Sequence, residues 1–289
     1  RGRQPRLIFC SISGYGQDGP LRDRSGHDIN YLALAGVLGL QADAAGTPVL
    51  SGIQIADLGG ALFAVISVLA ALAARERTGE GQRIDVSMME VGVALLPLAA
   101  ARLFANHSVP LGARLPLSGS LACYNVYATA DGRHLSVGAL ELKFWESFCK
   151  VIGREDFIPM HMVEDKQELM RQTIEGIIKK RTVAEWIERF KAADACVEAV
   201  LSLEEVFQSP QVKERGMVLE IEHTTEGKIR QLNLPFKLSG SRTAVRAAAP
   251  LLGQHTRDIL VKLGYSAQQI QDLLAAKVIA ISGTGTFLI

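Results

Sequence analysis

The chain has 289 residues, of which 48% are hydrophobic and 21% charged, as is typical of a soluble globular protein with one large domain or two ordinary ones. Lys and Arg total 31 against 30 Asp and Glu, so the composition shows no broad basic surface of the kind that attracts nucleic acid or an acidic membrane. The four cysteines are far apart and form no CxxC or Cys/His metal pattern, which favours reduced thiols in a reducing compartment.

The first predicted element is a buried strand over 6–13, and a glycine-rich turn at 13–20 ends it. The chain begins on this strand without a starting Met or a lead-in, so we expect it to be the middle of a longer protein. Apolar residues at helical spacing predict a helix over 27–40. The stretch 41–52, with its glycines and proline, predicts a loop.

A long apolar helix is predicted over 58–74, with Asp57 directly before it as the N-cap. Its 17 uncharged residues fall short of the roughly 20 that a membrane span needs, so a buried helix is the better interpretation. A charged, Gly-broken turn at 75–83 follows. A short strand at 84–87 and a helix to about Phe104 come next.

The rest of the chain mixes hairpins and helices. Asp131-Gly132 lies inside the alternating stretch 121–137 and predicts a β-hairpin. The later elements are predicted as helices at 142–152, 164–180, 182–193 and 203–208, a strand at 194–200, a β-rich stretch over 216–238, and two helices within 256–276 that Gly264 separates. This order indicates α/β organisation at both ends and a smaller α+β unit at about 125–225.

Asp57 is the first candidate for chemistry. It is a lone carboxylate between apolar residues and Gly59-Gly60, and these glycines would let a ligand approach the backbone closely. The N-terminus of the following helix would offer free N–H groups and a partial positive charge, which suit a developing oxyanion. The alternative is an ordinary N-cap, which is the commoner role of an Asp before a helix.

His27 and Glu141 are weaker candidates when each is taken alone. His27 stands at a predicted helix start, where a histidine is usually a cap or a surface residue. Asp28 and Asn30 beside it could equally be capping groups. Glu141 ends a strand-like run and could orient an imidazole. No cluster of metal-ligating residues accompanies these side chains.

Five segments, found in order along the chain, carry a family resemblance: SGYGQDGPLRDRSGHDINYLALAGVL, IADLGG, ALAARERTGEGQRIDVSMME, YNVYATADGRHLSVGALELKFW and LLGQHTRDILVKLGYSAQQI. Together they resemble the family III coenzyme A transferases (CaiB/BaiF), a group that includes carnitine-pathway and formyl transferases and the α-methylacyl-CoA racemases. The resemblance covers essentially the whole chain and is closest in motif to the racemases.

This resemblance implies an α/β fold with a Rossmann-like large domain and a smaller α+β domain, in an interlocked dimer. The large domain would take 1–120 and hold the catalytic segment, and the small domain would take 121–225. Residues 226–289 would be a linker and C-terminal helices that return to the large domain. The family would place a further segment before Arg1, so the large domain is expected to be incomplete at the N-terminus.

The resemblance also implies roles for individual residues. Asp57 matches the family's central aspartate, which attacks the thioester and forms a mixed anhydride in transferases and is an acid/base in racemases. His27 matches the second acid/base of the racemases, and Glu141 matches a glutamate that supports this histidine. A segment that lines the acyl-CoA site is matched by Gly26, Asp28, Ile29, Asn30 and Tyr31.

Two features bear on the choice between the reactions. Typical transferases have a run of glycines where this chain has Gly138-Ala139-Leu140-Glu141. The racemases have Asn where this chain has Ile53, which leaves open whether Asp57 acts as an acid/base or as a nucleophile.

Three functional hypotheses follow. The first is racemisation of a 2-methylacyl-CoA by a two-base mechanism of His27 and Asp57. The second is transfer of coenzyme A between carboxylic acids through an aspartyl intermediate at Asp57. The third, of another class, is an inactive fragment or interaction module.

The resemblance further implies no metal and no separate cofactor, since coenzyme A is part of the substrate. The expected partners are an acyl-CoA and a second copy of the chain, with no nucleic acid and no membrane, and the expected location is the cytoplasm. Pro- and Gly-containing stretches near 105–120 and 226–250 are the expected connections between the domains.

Overall fold

The structure is a computed structural model that describes residues 4–43, 45–107, 115–241, 244–245 and 247–282. It divides into two compact units, Arg1–Val200 and Leu201–Ile289. The strands of the first unit are β1 (Phe9–Ser13), β2 (Arg83–Ser87), β3 (Tyr124–Ala128), β4 (His134–Gly138) and β5 (Val197–Ala199). Its α-helices are α1 (Asp28–Leu34), α2 (Val37–Leu40), α3 (Ile55–Thr78), α4 (Met88–Ala94), α5 (Pro97–Asn106), α6 (Leu142–Ile152), α7 (Gln167–Ile178) and α8 (Val183–Phe190).

The strands β1 and β2 form a parallel pair, with Phe9 opposite Arg83 and Ser13 opposite Ser87. Parallel neighbours need a crossover connection, and α3 is the long helix in it. Both strands end at the same edge, where the carbonyl of Gly14 accepts the backbone N–H of Met89 at 2.9 Å. This edge therefore joins the glycine-rich turn after β1 to the start of α4.

The long apolar helix α3 has 24 residues and ends at Gly79, which adopts φ 75°. It therefore extends past the predicted 58–74 and includes the first part of the charged segment that was predicted as a turn. The buried residues of α3 are small and share one face: Ala56, Gly60, Ala64 and Ala71. Ala64 packs with Val86 and Val91.

The prediction that this helix is buried is wrong for the described chain. Leu62, Val65 and Leu69 are each about 60% exposed, because the helix is apolar all round while the described residues cover one face. By length and composition α3 could cross a membrane, as could many core helices of soluble proteins, and 28% of its most apolar stretch is buried. The pair α4 and α5 passes the same test only if its 63° bend is ignored.

The antiparallel sheet β3–β4–β5 has a hydrophobic core of its own. In this sheet Tyr127 is opposite Leu135 and Val137 is opposite Val197. The predicted hairpin is confirmed, with its turn at Gly132 (φ 73°). The helices α6, α7 and α8 supply large buried side chains to this core, and Trp145 and Phe148 are fully buried. The Nε1–H of Trp145 donates to the carbonyl of Phe157 at 3.0 Å.

The second unit contains a hairpin and short helices. Its elements are α9 (Leu203–Gln208), α10 (Pro210–Glu214), β6 (Val218–His223), β7 (Gly227–Leu232), α11 (Thr256–Lys262) and α12 (Ala267–Ala275). Gly264, with φ 88°, separates α11 from α12 as predicted. The strand β7 occupies part of the stretch expected as a connection over 226–250. Of the other expected connection, Pro110 and Gly112 lie outside the described residues. The division at 120 and 225 stays a prediction.

Candidate functional site

The segment that carries His27 starts a short helix. The helix predicted over 27–40 is in fact α1 and α2, which are separate because Gly36 between them adopts φ 84°. His27 is the N-cap of α1, with an extended backbone. Its N–H donates to the side-chain oxygen of Asn30 at 3.0 Å. Asn30 therefore fixes the backbone of His27, and His27 itself is exposed to solvent.

Two tyrosines lie beneath this segment. The rings of Tyr15 and Tyr31 pack edge to face with their centroids 5.2 Å apart. The Tyr31 hydroxyl donates to the carbonyl of Gly26 at 2.5 Å. A Cβ atom on Gly26 would lie 2.7 Å from the Tyr15 hydroxyl, so this position has no room for a side chain. Burial raises the pKa of Tyr31, and the negative charges of ionised Tyr15 and Asp57 raise it further. The phenol is therefore neutral near pH 7 and remains a hydrogen-bond donor.

Asp57 lies in the first turn of α3, whose N-cap is Gln54. The prediction that Asp57 is the N-cap is therefore wrong, because the helix begins two residues earlier, at Ile55. Asp28 does the capping instead. Its Oδ1 accepts the backbone N–H of Ala56 at 2.7 Å and that of Asp57 at 3.2 Å.

This arrangement changes the expected source of oxyanion stabilisation. The N–H groups of Ala56 and Asp57 already donate to Asp28, and the N–H of Leu58 donates to the carbonyl of Gln54 at 3.0 Å. The expectation that these groups are free for a ligand is wrong, because a carboxylate from another helix takes two of them. The partial positive charge of the helix start remains near the Asp57 carboxylate.

The glycines after Asp57 serve helix packing. A Cβ atom on Gly59 would lie 2.7 Å from a methyl carbon of Val91, and one on Gly60 would lie 2.9 Å from the Cγ of Met88. The expectation that these glycines admit a ligand to the backbone is therefore wrong. Their small size lets α4 approach α3 closely, which holds the start of α3 against the edge of the sheet.

The structure thus joins the neighbourhoods of His27 and Asp57. Asp28 follows His27 directly in the chain and is bonded to the backbone N–H of Asp57 itself. Both His27 and Asp57 are exposed residues, while Asp28 is half-buried. The site therefore presents an imidazole and a carboxylate, two groups that can take up and release protons, on two helix starts held together by a third side chain.

Of the other residues matched to the acyl-CoA segment, Gly26, Asn30 and Tyr31 make the local contacts just described, and Ile29 is 43% exposed. Sequence reasoning included Asp28 as a lining residue or a local cap but did not find its bond to α3. No local pattern signals that bond, because its partners are 28 and 29 residues away.

Glu141 lies at the surface beside the sheet β3–β4–β5, between β4 and α6. It is the N-cap residue of α6, makes no side-chain capping bond and is exposed. Burial raises the pKa of the nearby Cys196 thiol, and the negative charges of Asp194 and Glu141 raise it further. Among the described residues, no hydrogen bond joins Glu141 to His27 or Asp57, so its predicted support of His27 stays a prediction.

The loop before Glu141 is held by a histidine that sequence reasoning did not single out. The Nε2 of His161 lies 3.2 Å from the carbonyl oxygen of Ala139. The imidazole ring stacks on the ring of Trp145, with the two centroids 5.4 Å apart. Burial lowers the pKa of His161, against a smaller opposing effect of the Ala139 carbonyl. An open groove of about 500 Å³ lies near this loop and is lined in part by Gly138, Asn125 and Cys196.

Among the described residues, no three His, Cys, Asp or Glu side chains are grouped closely enough to hold a metal ion together.

Comparison with known proteins gives consistent results. The sequence profile of CoA-transferase family III matches residues 1–256. The chain is 36% identical over 279 residues to the alpha-methylacyl-CoA racemase of Homo sapiens, covering 95% of this chain and 72% of that protein. It is 32% identical over 284 residues to the succinyl-CoA:glutarate CoA-transferase of Mus musculus, covering 95% of this chain and 64% of that protein.

Solved structures show the same fold. A CaiB/BaiF family protein from Brucella suis superimposes with a TM-score of 0.74 at 24% identity, covering 90% of this chain and 68% of that chain. The expected α/β fold class is confirmed by this match.

Proposed function

The chain belongs to CoA-transferase family III, an enzyme family, and from this premise we propose that it racemises a 2-methylacyl-CoA at the carbon next to the thioester. The observation that carries the proposal is the pairing of His27 and Asp57 on helix starts that Asp28 joins. The 36% identity to a racemase supports the same choice.

The reaction needs two groups that exchange protons with opposite faces of one carbon. The α-hydrogen of a thioester is weakly acidic, so a neutral His27 imidazole takes this proton, and the C–H electron pair moves into the enolate, with negative charge on the thioester oxygen. A protonated Asp57 then delivers its proton to the opposite face, and the thioester is restored with inverted configuration. For the other enantiomer Asp57 is the base and His27 the acid.

Substrate recognition is part of the proposal. The segment Gly26–Tyr31 lines the acyl-CoA site through its exposed residues, among them Ile29 and Asn30. Glu141 supports the imidazole of His27. Coenzyme A enters and leaves as part of the substrate, so the two side chains carry out the proton transfers without a separate cofactor.

The second candidate is transfer of coenzyme A, and the 32% identity to a CoA-transferase favours it. A carboxylate oxygen of ionised Asp57 attacks the thioester carbonyl, the C–S bond breaks, and coenzyme A leaves as the thiolate with an aspartyl mixed anhydride formed. The thiolate then attacks the aspartyl carbonyl and releases the first carboxylic acid, and a second acid accepts coenzyme A by the reverse steps.

One experiment separates these reactions. The full-length protein is incubated with 2-methylacyl-CoA in deuterium oxide, and the mass at the α-carbon is followed. Racemisation predicts incorporation of one deuterium together with loss of optical purity. Coenzyme A transfer predicts no incorporation, and hydroxylamine added with the acyl-CoA would then trap a hydroxamate at Asp57. Absence of both products would favour the interaction module.

An interlocked, cytoplasmic homodimer is the assembly that we propose, without nucleic acid or membrane partners. The exposed apolar side chains of α3, such as Leu62, Val65 and Leu69, support a covering surface beyond the described residues. Light scattering of the full-length protein tests this assembly, and a monomer at micromolar concentration would contradict it.

A further inference from the structure

Asp28 bonds across two helices. We propose that it is the positioning residue of this site: its carboxylate holds the start of α3 against the start of α1 and so sets the distance between the Asp57 carboxylate and the His27 imidazole. The inference rests on the proposed function. It differs from the lining role that the family resemblance implies for Asp28, because it assigns the side chain to the protein's own backbone and not to the substrate.

The start of α3 depends on this cap. Its N-cap residue, Gln54, makes no side-chain capping bond, so Asp28 supplies the acceptor for the N–H groups of Ala56 and Asp57. Ala56 is fully buried. A buried N–H group that loses its partner carries the full cost of desolvation, so the first turn of α3 would shift to find another acceptor. Any such shift moves Asp57, which lies in this turn.

The segment before Asp28 is held in place by contacts of its own. The Tyr31 hydroxyl holds the carbonyl of Gly26, and Asn30 holds the N–H of His27. The rings of Tyr15 and Tyr31 leave no room for a side chain at position 26. Residues 26–28 therefore form a rigid base for the Asp28 carboxylate, and α3 is the element that this carboxylate positions.

The proposed chemistry requires a defined geometry between the two side chains. Two-base proton transfer needs both groups within reach of the same carbon, from opposite sides. A misplacement of about 1 Å can cost on the order of 100-fold in rate. The bond from Asp28 to Asp57 is the contact in the described residues that links the residue beside His27 to the residue that carries the second acid/base.

Three variants of the full-length protein test the proposal. Asp28→Asn keeps a side-chain oxygen in place to accept both N–H groups, whereas Asp28→Ala removes it. Asp23→Ala is the matched control, because Asp23 is an exposed carboxylate whose ion pair with Arg22 stays within the same loop. The measured quantities are kcat and KM for α-proton exchange, together with amide hydrogen exchange of the peptide that spans 53–62.

The expected result for Asp28→Ala is a loss of about 100-fold in kcat with KM changed less than threefold, and faster exchange of two amides in that peptide. Asp28→Asn should recover most of kcat and of the amide protection, and Asp23→Ala should match the parent. If Asp28→Ala does not fold, the same comparison is made with Asp28→Glu, whose extra methylene displaces the acceptor.

Other outcomes would overturn the proposal. A parental kcat in Asp28→Ala would show that the bond does not position Asp57. A rise in KM shared by Asp28→Asn and Asp28→Ala, with kcat unchanged, would assign Asp28 to substrate contact. Failure of the proposed function is distinguishable, because the parent protein would then show no α-proton exchange while the amide protection would still report whether Asp28 caps α3.

Discussion

Replacing Asp57 by Asn separates chemistry from stability, because the structure assigns the cap of α3 to Asp28. Asp57 is exposed in the first turn of α3, so its charge stabilises the fold mainly through the helix dipole, by about 0.3–1 kcal/mol. For a chain of this size that corresponds to a fall in Tm of less than about 4 °C. The backbone N–H of Asp57 keeps its bond to Asp28 in the variant.

The effect on turnover should be far larger. An acid/base group contributes about 100- to 10,000-fold, which is roughly 3–5.5 kcal/mol in the barrier. We therefore expect Asp57→Asn to lose at least 100-fold in α-deuterium incorporation while the thermal midpoint stays within a few degrees. Asp258→Asn, which removes a first-turn carboxylate from α11, is the matched control and should keep full activity.

Near-parental exchange in Asp57→Asn would refute the assignment of Asp57 to the reacting centre. A fall in Tm of 10 °C or more would refute the reasoning about the cap instead, because Asp57 would then hold the fold through contacts that the structure does not show.

Three further predictions concern other residues. His27→Ala should slow proton exchange from one enantiomer of the substrate far more than from the other, measured with each pure enantiomer; equal small losses would contradict the two-base mechanism. At pH 8, iodoacetamide should alkylate the exposed Cys196 before Cys123 and Cys149, since burial raises the pKa of the latter two thiols to about 11 and about 12. Peptide mass spectrometry would show the order of alkylation, and equal rates for the three thiols in the native state would contradict this burial. Burial lowers the pKa of His161 in the folded state, so as the pH falls the unfolded chain takes up a proton at this side chain before the folded chain does. Neutral His161 therefore contributes stability that is fully present above about pH 6.5 and is lost as the pH falls through the lower folded-state pKa. Urea midpoints between pH 7.5 and 5.5 should therefore decline less in His161→Gln than in the parent, and identical slopes would rule out the role of His161.

Much of the local structure could be predicted from the sequence. The hairpin at Asp131-Gly132 needed only a turn residue that adopts positive φ between two alternating stretches. The separation of α11 from α12 at Gly264 and the existence of a strand before the glycine-rich turn follow from equally local signals. The strand begins at Phe9 and not at Arg6, and the prediction that it is buried is wrong, because Phe9 and Ile12 are about half exposed among the described residues. The family, and with it His27 and Asp57 as candidates, also came from the order of motifs along the chain.

The sequence-based interpretation of the start of α3 was wrong where contacts with residues distant in the sequence replaced the local pattern. Asp57 has the residue type and the position of an N-cap, but a residue about 28 positions earlier supplies the acceptor, and no window of the sequence contains both groups. The glycines at 59 and 60 suit ligand approach and helix packing equally well in sequence, and only the position of α4 decides between them.

The sequence by itself determined the family, the candidate acid/base pair and most helices and strands, because these depend on residue type and short-range spacing. Only the tertiary structure decided which side chains cap which helix, which face of α3 is covered and which contact joins the two halves of the site. The physical reason is that a backbone N–H group bonds to whichever acceptor folding brings within about 3 Å, and sequence separation places no limit on that choice.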